Sequence, residues 1–166
     1  EYGYATAGSF ELRDWTKNIK QPLGLSKQYE KAANNAKQLS KTLGDMELNF
    51  VGHSLGGGEA ALNSLVTSND KLKGRKAFTF NAAGVSDLTK IKEGTWKTPF
   101  KSEKKIEAYI LRTDPLNILQ NRSPAMPDVN GNRHYLSPKD LPSVYNGHSI
   151  DNIIKNFGVN PDEYKK

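Results

Sequence analysis

Asn49-Phe50-Val51-Gly52-His53-Ser54-Leu55-Gly56-Gly57-Gly58-Glu59-Ala60 is the stretch on which the reading of this chain turns. Leu48 to Val51 is a short apolar run of strand character, and the residues after Gly56 are small and suited to a helix. Between them Gly52-x-Ser54-x-Gly56 forces a sharp turn. A serine at the tip of such a turn sits in strained backbone geometry, and the residues two before and two after it must lack a side chain where the chains crowd. The strain holds the hydroxyl clear of the sheet, open to a base on one side and a substrate on the other. The bland alternative is a glycine-rich loop. The strand before, the helix after and two further glycines for close helix–sheet packing argue against it.

The rest of the composition is that of an ordinary globule. The chain has 166 residues, 36% hydrophobic and 25% charged, which predicts one domain with a core of its own. No apolar run approaches the ~20 residues needed to cross a bilayer, so the expectation is a soluble chain without a transmembrane segment. It opens on Glu1-Tyr2-Gly3-Tyr4, already strand-like and without an initiator Met or signal peptide. This reads as a single domain over residues 1–166, excised from a longer polypeptide. Cysteine is absent, so neither a disulfide nor a thiolate metal site is expected. The net charge of +6 comes from 24 basic and 18 acidic residues. The basic residues are mostly scattered lysines, read first as solvated faces and second as attraction to an anionic membrane surface. Nucleic acid is not expected as a partner, because no recognised binding motif accompanies the charge.

Along the chain, strand and helix patterns alternate. Tyr2 to Ala7 is β-prone and breaks at Gly8-Ser9. Phe10 to Leu25 reads as a packed connection, with a mobile cover over a site as the alternative, and Pro22 and Gly24 mark a loop. Ser26, as N-cap, opens a helix to Leu43, with Tyr29, Ala32, Ala33, Ala36 and Leu39 on one face and Gly44 at its end. The elbow helix spans Gly56 to Val66, followed by a basic connection from Lys71 to Lys76. Lys76 to Asn81 and Lys105 to Arg112 are strands, and Asp87 to Phe100 between them reads as irregular. Leu116 to Ser143 reads as loop with one extended piece at Arg133 to Leu136, and Ser149 to Phe157 as the last helix. Ile106, Ala108 and Ile110 alternate with Tyr109 and Leu111, so that strand is expected to be covered from both sides. The fold class is α/β, a mostly parallel sheet flanked by helices.

A serine hydroxyl needs a base to become a nucleophile, and the base needs an acid to orient it. On strand–turn–helix elbows the chain order is serine, then Asp or Glu, then His. Of three histidines, His53 leaves the turn in another direction and is a poor base. His134 lies in the extended piece, and His148 stands in a loop just before the last helix. His148 is favoured over His134. For the acid, Asp114 stands just past a strand, whereas Asp87, Asp128 and Asp140 are set in loops and Asp151 falls outside the order. Asp114 is favoured, its alternative being a strand-ending Asp-Pro turn. The oxyanion of an acyl-transfer intermediate needs two backbone N–H groups. Leu55, after the serine, is one candidate, and the turn at Gly8-Ser9 is placed for the other. Asp128, Asn130 and Asn132 have the spacing of a calcium loop, but Arg133 and Lys139 stand where Gly and Glu are required, so no metal and no cofactor is expected.

Several of these motifs resemble one family. Gly52-His53-Ser54-Leu55-Gly56-Gly57 and Asp114-Pro115-Leu116 resemble the elbow and acid site of class 3 (fungal-type) lipases, and Tyr4 to Ser9 resembles their Arg-Gly-Thr strand end without the arginine. Asp14 to Ile19 with its glycine loop is similar to small lipase-like domains at the ends of secreted bacterial toxins, the type VI lipase effectors. The resemblance implies a truncated α/β-hydrolase core and a serine ester hydrolase of lipase or phospholipase type. It implies Ser54, Asp114 and His148 as catalytic residues, with Ser9 and Leu55 at the oxyanion. It also implies a lipid or other ester substrate, secretion or delivery within a larger effector, and an inhibitory (immunity) protein as partner. A binding module on the same fold, and a thioesterase or peptidase, are the alternatives.

Overall fold

A computed structural model of the protein describes residues 1–8, 22–68, 74–95, 103–139 and 147–164. Its frame is a five-stranded sheet in the order β1 (Tyr2–Thr6), β2 (Leu48–His53), β3 (Gly74–Phe80), β4 (Ile106–Leu111) and β5 (Asn132–Leu136). Every neighbouring pair is parallel. Strands in sequential order that all run the same way need a crossover between each pair. Here the crossovers carry α1 (Pro22–Leu43), α2 (Leu55–Thr67), α3 (Asp87–Lys92) and α4 (Pro115–Arg122), and α5 (Ile150–Asn156) follows β5. The consequence for function is that all five strands end at one edge of the sheet, the edge where ligands of such folds are held.

The core lies on one face of the sheet. Tyr4, Phe50, Ala77 and Ile106 are cross-strand partners in register, and they pack against Leu55, Ala61, Leu62 and Leu65 of α2. Full burial of each larger apolar side chain is worth about 1.5–3 kcal/mol. α2 is buried on nearly every side because α1 covers its outer face through Tyr29, Ala33 and Ala36. The alanines let the two helix backbones approach closely. On the opposite face Phe80, Tyr109 and His134 are in register and their rings form a row, with centroids 5.5 and 4.9 Å apart. Phe157, at the end of α5, meets Phe80 and Tyr109 edge-on. The expected α/β architecture, a parallel sheet flanked by helices, is what is found, although Lys76 and His134 on the second face are exposed.

The elements depart from the sequence expectations at identifiable places. α1 starts at Pro22, so Ser26 lies inside the helix instead of capping it, and Pro22 and Gly24 are helical. Proline suits the first turn of a helix, whose N–H groups have no acceptor anyway. β3 begins at Gly74, not Lys76, and takes in part of the expected basic connection. Arg75 there is fully buried, with a positive φ of 61°. Its guanidinium donates to Ser40 Oγ (2.9 Å), Met46 O (2.8 Å) and Gly44 O (2.8 Å). A cation at the carbonyl end of α1 satisfies groups that the helix leaves unpaired. α3 and α4 occupy stretches expected to be irregular, because both are short and their starts rest on caps. Ser86 Oγ accepts from Thr89 N, and Asp114 accepts from Asn117 N with Pro115 in the first turn.

Candidate active site

The site is built at the strand ends. Ser54 follows β2 directly, at φ 57° and ψ −125°, a strained geometry for a residue with a side chain. Two glycines make the turn sterically feasible. A Cβ on Gly52 would lie 2.0 Å from Gly56 O, and one on Gly56 would lie 2.3 Å from Thr6 O. Thr6 Oγ1 donates to Gly56 O at 2.6 Å, tying the first turn of α2 to the end of β1. Ser54 N donates to Phe80 O (3.0 Å) and Ala83 N donates to Ser54 O (2.9 Å), so β3 holds the serine from the other side.

Asp114 stands after β4 and is fully buried. Its Oδ2 accepts from Asn117 N at 2.9 Å and also from Asn117 Nδ2, and its Oδ1 accepts from His148 Nδ1 at 2.6 Å. A carboxylate only accepts, so His148 carries its proton on Nδ1. Nε2 is then the acceptor, and Ser54 Oγ donates to it at 2.8 Å. Where the alternative reading was a strand-ending Asp-Pro turn, Asp114 caps α4 with Oδ2 and accepts from His148 with Oδ1, so one carboxylate is used on two edges. Ser54, His148 and Asp114, distant in sequence, form one hydrogen-bonded chain. His148 retains 14% of its side-chain exposure, while Ser54 is 2% exposed.

The other candidates fall elsewhere. His134 lies in β5 and bonds Glu107 Oε2 at 2.5 Å on the exposed face of the sheet. His53 is not positioned as a base to the serine, and its Nε2 instead lies 2.8 Å from His148 O. Burial, and then the neighbouring His148, lower the His53 pKa to about 4, so it is neutral at pH 7. Leu55 N–H is in the first turn of α2, where helix geometry supplies no acceptor. Ser9 lies outside the described residues; Gly8, beside it, packs on the elbow, where a Cβ would be 2.5 Å from His53 O and 3.1 Å from Ser54 Cβ. Of the rejected calcium loop, Asn130 Oδ1 accepts from Val85 N, Asp128 pairs with Arg133, and Asn132 is in β5. A cavity of about 550 Å³ between α3 and the loop before β5 contains none of the three chained residues, and its Lys90 and Arg133 are paired with carboxylates.

Asn81 is the residue that sequence reasoning passed over. It is fully buried with a positive φ of 43°. Its Nδ2 donates to Gly147 O at 3.1 Å, and its Oδ1 accepts from Leu111 N at 2.9 Å. A polar residue closing a strand pattern was the only signal available.

A parallel α/β sheet with a strained serine between β2 and α2, with Asp from the end of β4 and His from just before α5, defines an α/β-hydrolase-type domain. Comparison with known proteins carries this further. Residues 1–137 match the family of Tle-like phospholipase domains, and the chain belongs to that family. The match takes in Ser54 and Asp114 and ends before His148. The chain is also 35% identical, over 176 aligned residues and 95% of its own length, to an extracellular phospholipase A1 of Serratia liquefaciens. It spans 52% of that relative's length. The resemblance to bacterial lipase-effector domains agrees with this family. Among the described residues no helix is long and apolar enough to cross a membrane.

Proposed function

We propose that the domain is a serine hydrolase that cleaves carboxylic esters of phospholipids. The observation that carries the reading is the unbroken chain Ser54 Oγ–His148 Nε2 and His148 Nδ1–Asp114 Oδ1, at 2.8 and 2.6 Å. Ser54 Oγ attacks the ester carbonyl carbon as its proton passes to His148 Nε2. Asp114 keeps the imidazole in the Nδ1–H form and stabilises the imidazolium. The oxyanion is held by Leu55 N–H at the positive end of α2 and by the N–H of Ser9 after β1. Collapse of the tetrahedral intermediate expels the alcohol, which takes the proton back from His148. Water then repeats the sequence on the acyl-serine, with His148 again as base, and releases the fatty acid.

Phospholipid is the substrate class because of the family, the phospholipase A1 relative and the net charge of +6, which draws the domain to anionic bilayers. Liposomes with and without anionic lipid, set beside a soluble short-chain ester and a triglyceride emulsion, test this. Fatty acid release fastest from anionic liposomes and absent in Ser54→Ala is expected; hydrolysis of the short ester alone would remove lipid from the account.

The extracellular relative and the likeness to toxin domains favour secretion, action against bacterial membranes and an inhibitory partner protein. Directing the domain to the periplasm of a susceptible bacterium should lyse it, and directing Ser54→Ala there should not. Equal growth of the two strains would discard the toxin role.

A further inference from the structure

The serine and the acid are fixed by the strands they follow, since Ser54 is next to β2 and Asp114 is close behind Leu111 of β4. The histidine is not. β5 ends at Leu136, residues 137–146 intervene, and α5 begins only at Ile150. Something other than strand continuity has to set where the His148 imidazole lies.

Two side chains act on its backbone. Asn81 Nδ2, from the end of β3, donates to Gly147 O at 3.1 Å. His53 Nε2, from the end of β2, donates to His148 O at 2.8 Å, and its ring centroid is 4.9 Å from that of His148. Consecutive carbonyls of the histidine loop are thus held by donors from adjacent strand ends. Asn81 ties the acid's strand to the same point, because its Oδ1 accepts from Leu111 N at 2.9 Å and its N donates to Tyr109 O at 2.9 Å. Gly147 packs so closely on the acid's loop that a Cβ would lie 2.2 Å from Thr113 O. The left-handed φ of Asn81 is one that asparagine tolerates better than most residues, and glycine there would supply neither bond.

We infer that His53 and Asn81 are positioning residues that clamp the Gly147–His148 backbone, so that the imidazole bridges Ser54 and Asp114. The inference rests on the hydrolase reading for its kinetic consequence only. His53 suits the task because it is neutral, which keeps a second cation away from His148 when His148 takes its proton. Its Nε2 must carry the hydrogen, since a carbonyl only accepts.

The test compares His53→Phe, which keeps a ring and loses the donor, with His53→Gln, which restores an N–H near the Nε2 position. Asn81→Asp, which keeps the acceptor for Leu111 N and loses the donor to Gly147 O, is the second variant. Turnover of a soluble short-chain ester and the ¹⁵N-histidine NMR spectrum, which reads tautomer and N–H exchange at His148, are measured on each. Loss of geometry at a reacting group costs up to about a hundredfold, so kcat should fall roughly ten- to hundredfold in His53→Phe and Asn81→Asp with KM within about twofold. His53→Gln should recover to within about fivefold of the parent. The parent should show one Nδ1–H tautomer at His148, and the two impaired variants a mixture with faster exchange. Unchanged kcat and an unchanged His148 spectrum in both impaired variants would overturn the inference, as would lowered thermal stability as their only effect. If His53→Phe does not fold, Asn81→Asp alone decides. A parent inactive on every ester refutes the hydrolase reading, and the tautomer comparison still decides the clamp.

Discussion

Replacing Asp114 by Asn is the perturbation whose outcome the geometry specifies most closely. Oδ2 of Asp114 accepts from both the backbone N and the Nδ2 of Asn117. In the variant the amide oxygen must stay on that side, because turning the amide over would set its NH₂ against two donors in a fully buried place. The NH₂ therefore faces His148 Nδ1. A donor there makes Nδ1 the acceptor, moves the proton to Nε2, and leaves the imidazole donating to Ser54 Oγ instead of receiving from it. The base is present, aligned and in the wrong tautomer. The expected loss in kcat is on the order of 10⁴-fold, about 5.4 kcal/mol of transition-state stabilisation. Asn caps helices about as well as Asp, so α4 and the thermal midpoint should change little. Turnover of a soluble ester at pH 7–8, alongside a thermal melt, reads both quantities. A variant folded like the parent and within about tenfold of its kcat would refute the assignment of Asp114.

Three further predictions concern the frame. Arg75→Met removes the donors to Ser40, Gly44 and Met46 at the end of α1 and should cost about 3 kcal/mol, read as a urea midpoint lower by roughly 1.5 M. An unmoved midpoint would contradict the capping role of the arginine. Gly56→Val drives a Cβ into Thr6 O and Ala7 and should destabilise by more than the roughly 1–3 kcal/mol usual for overpacking, with activity lost; a stable, active variant would show that the elbow yields. The pH dependence of stability should show two opposed contributions. Burial raises the Glu59 pKa to about 7, so the folded state holds a proton that the unfolded state loses, and stability falls as pH rises from about 4.5 to 7. His53, lowered to about 4, binds its proton more readily when unfolded, so stability rises with pH from about 4 to 6.5. Relative to the parent, Glu59→Gln should therefore gain stability as pH rises through the first window, and His53→Gln should gain it as pH falls through the second. Parallel curves for parent and variants would refute both.

The parts of the site that follow from local chain geometry were legible in the sequence. A strand, a Gly-x-Ser-x-Gly turn and a small-residue helix mark the elbow, and Asp114 stands just past a later strand, β4, whose alternating pattern is plain. The short helices α3 and α4 were not legible, because each owes its start to a cap, Ser86 or Asp114, more than to any apolar period. Arg75 reads as one more basic residue among lysines until the carbonyls of Ser40, Gly44 and Met46 converge on it. Asn81 and His53 act through backbone carbonyls 66 and 95 residues away, and no spacing rule encodes such partners. His53 shows the limit most plainly: its place inside the turn argues against a base, but nothing local encodes the bond it makes to the carbonyl of His148.

The proposed hydrolase stands or falls on Ser54 as a nucleophile activated by His148. Labelling the protein with a fluorophosphonate and mapping the adduct by peptide mass spectrometry tests it without any assumption about substrate. A single adduct on Ser54, formed at least ~10³-fold more slowly in His148→Ala and absent in Ser54→Ala, is the expected result. No adduct, or labelling of Ser54 at the parent rate in His148→Ala, would contradict it.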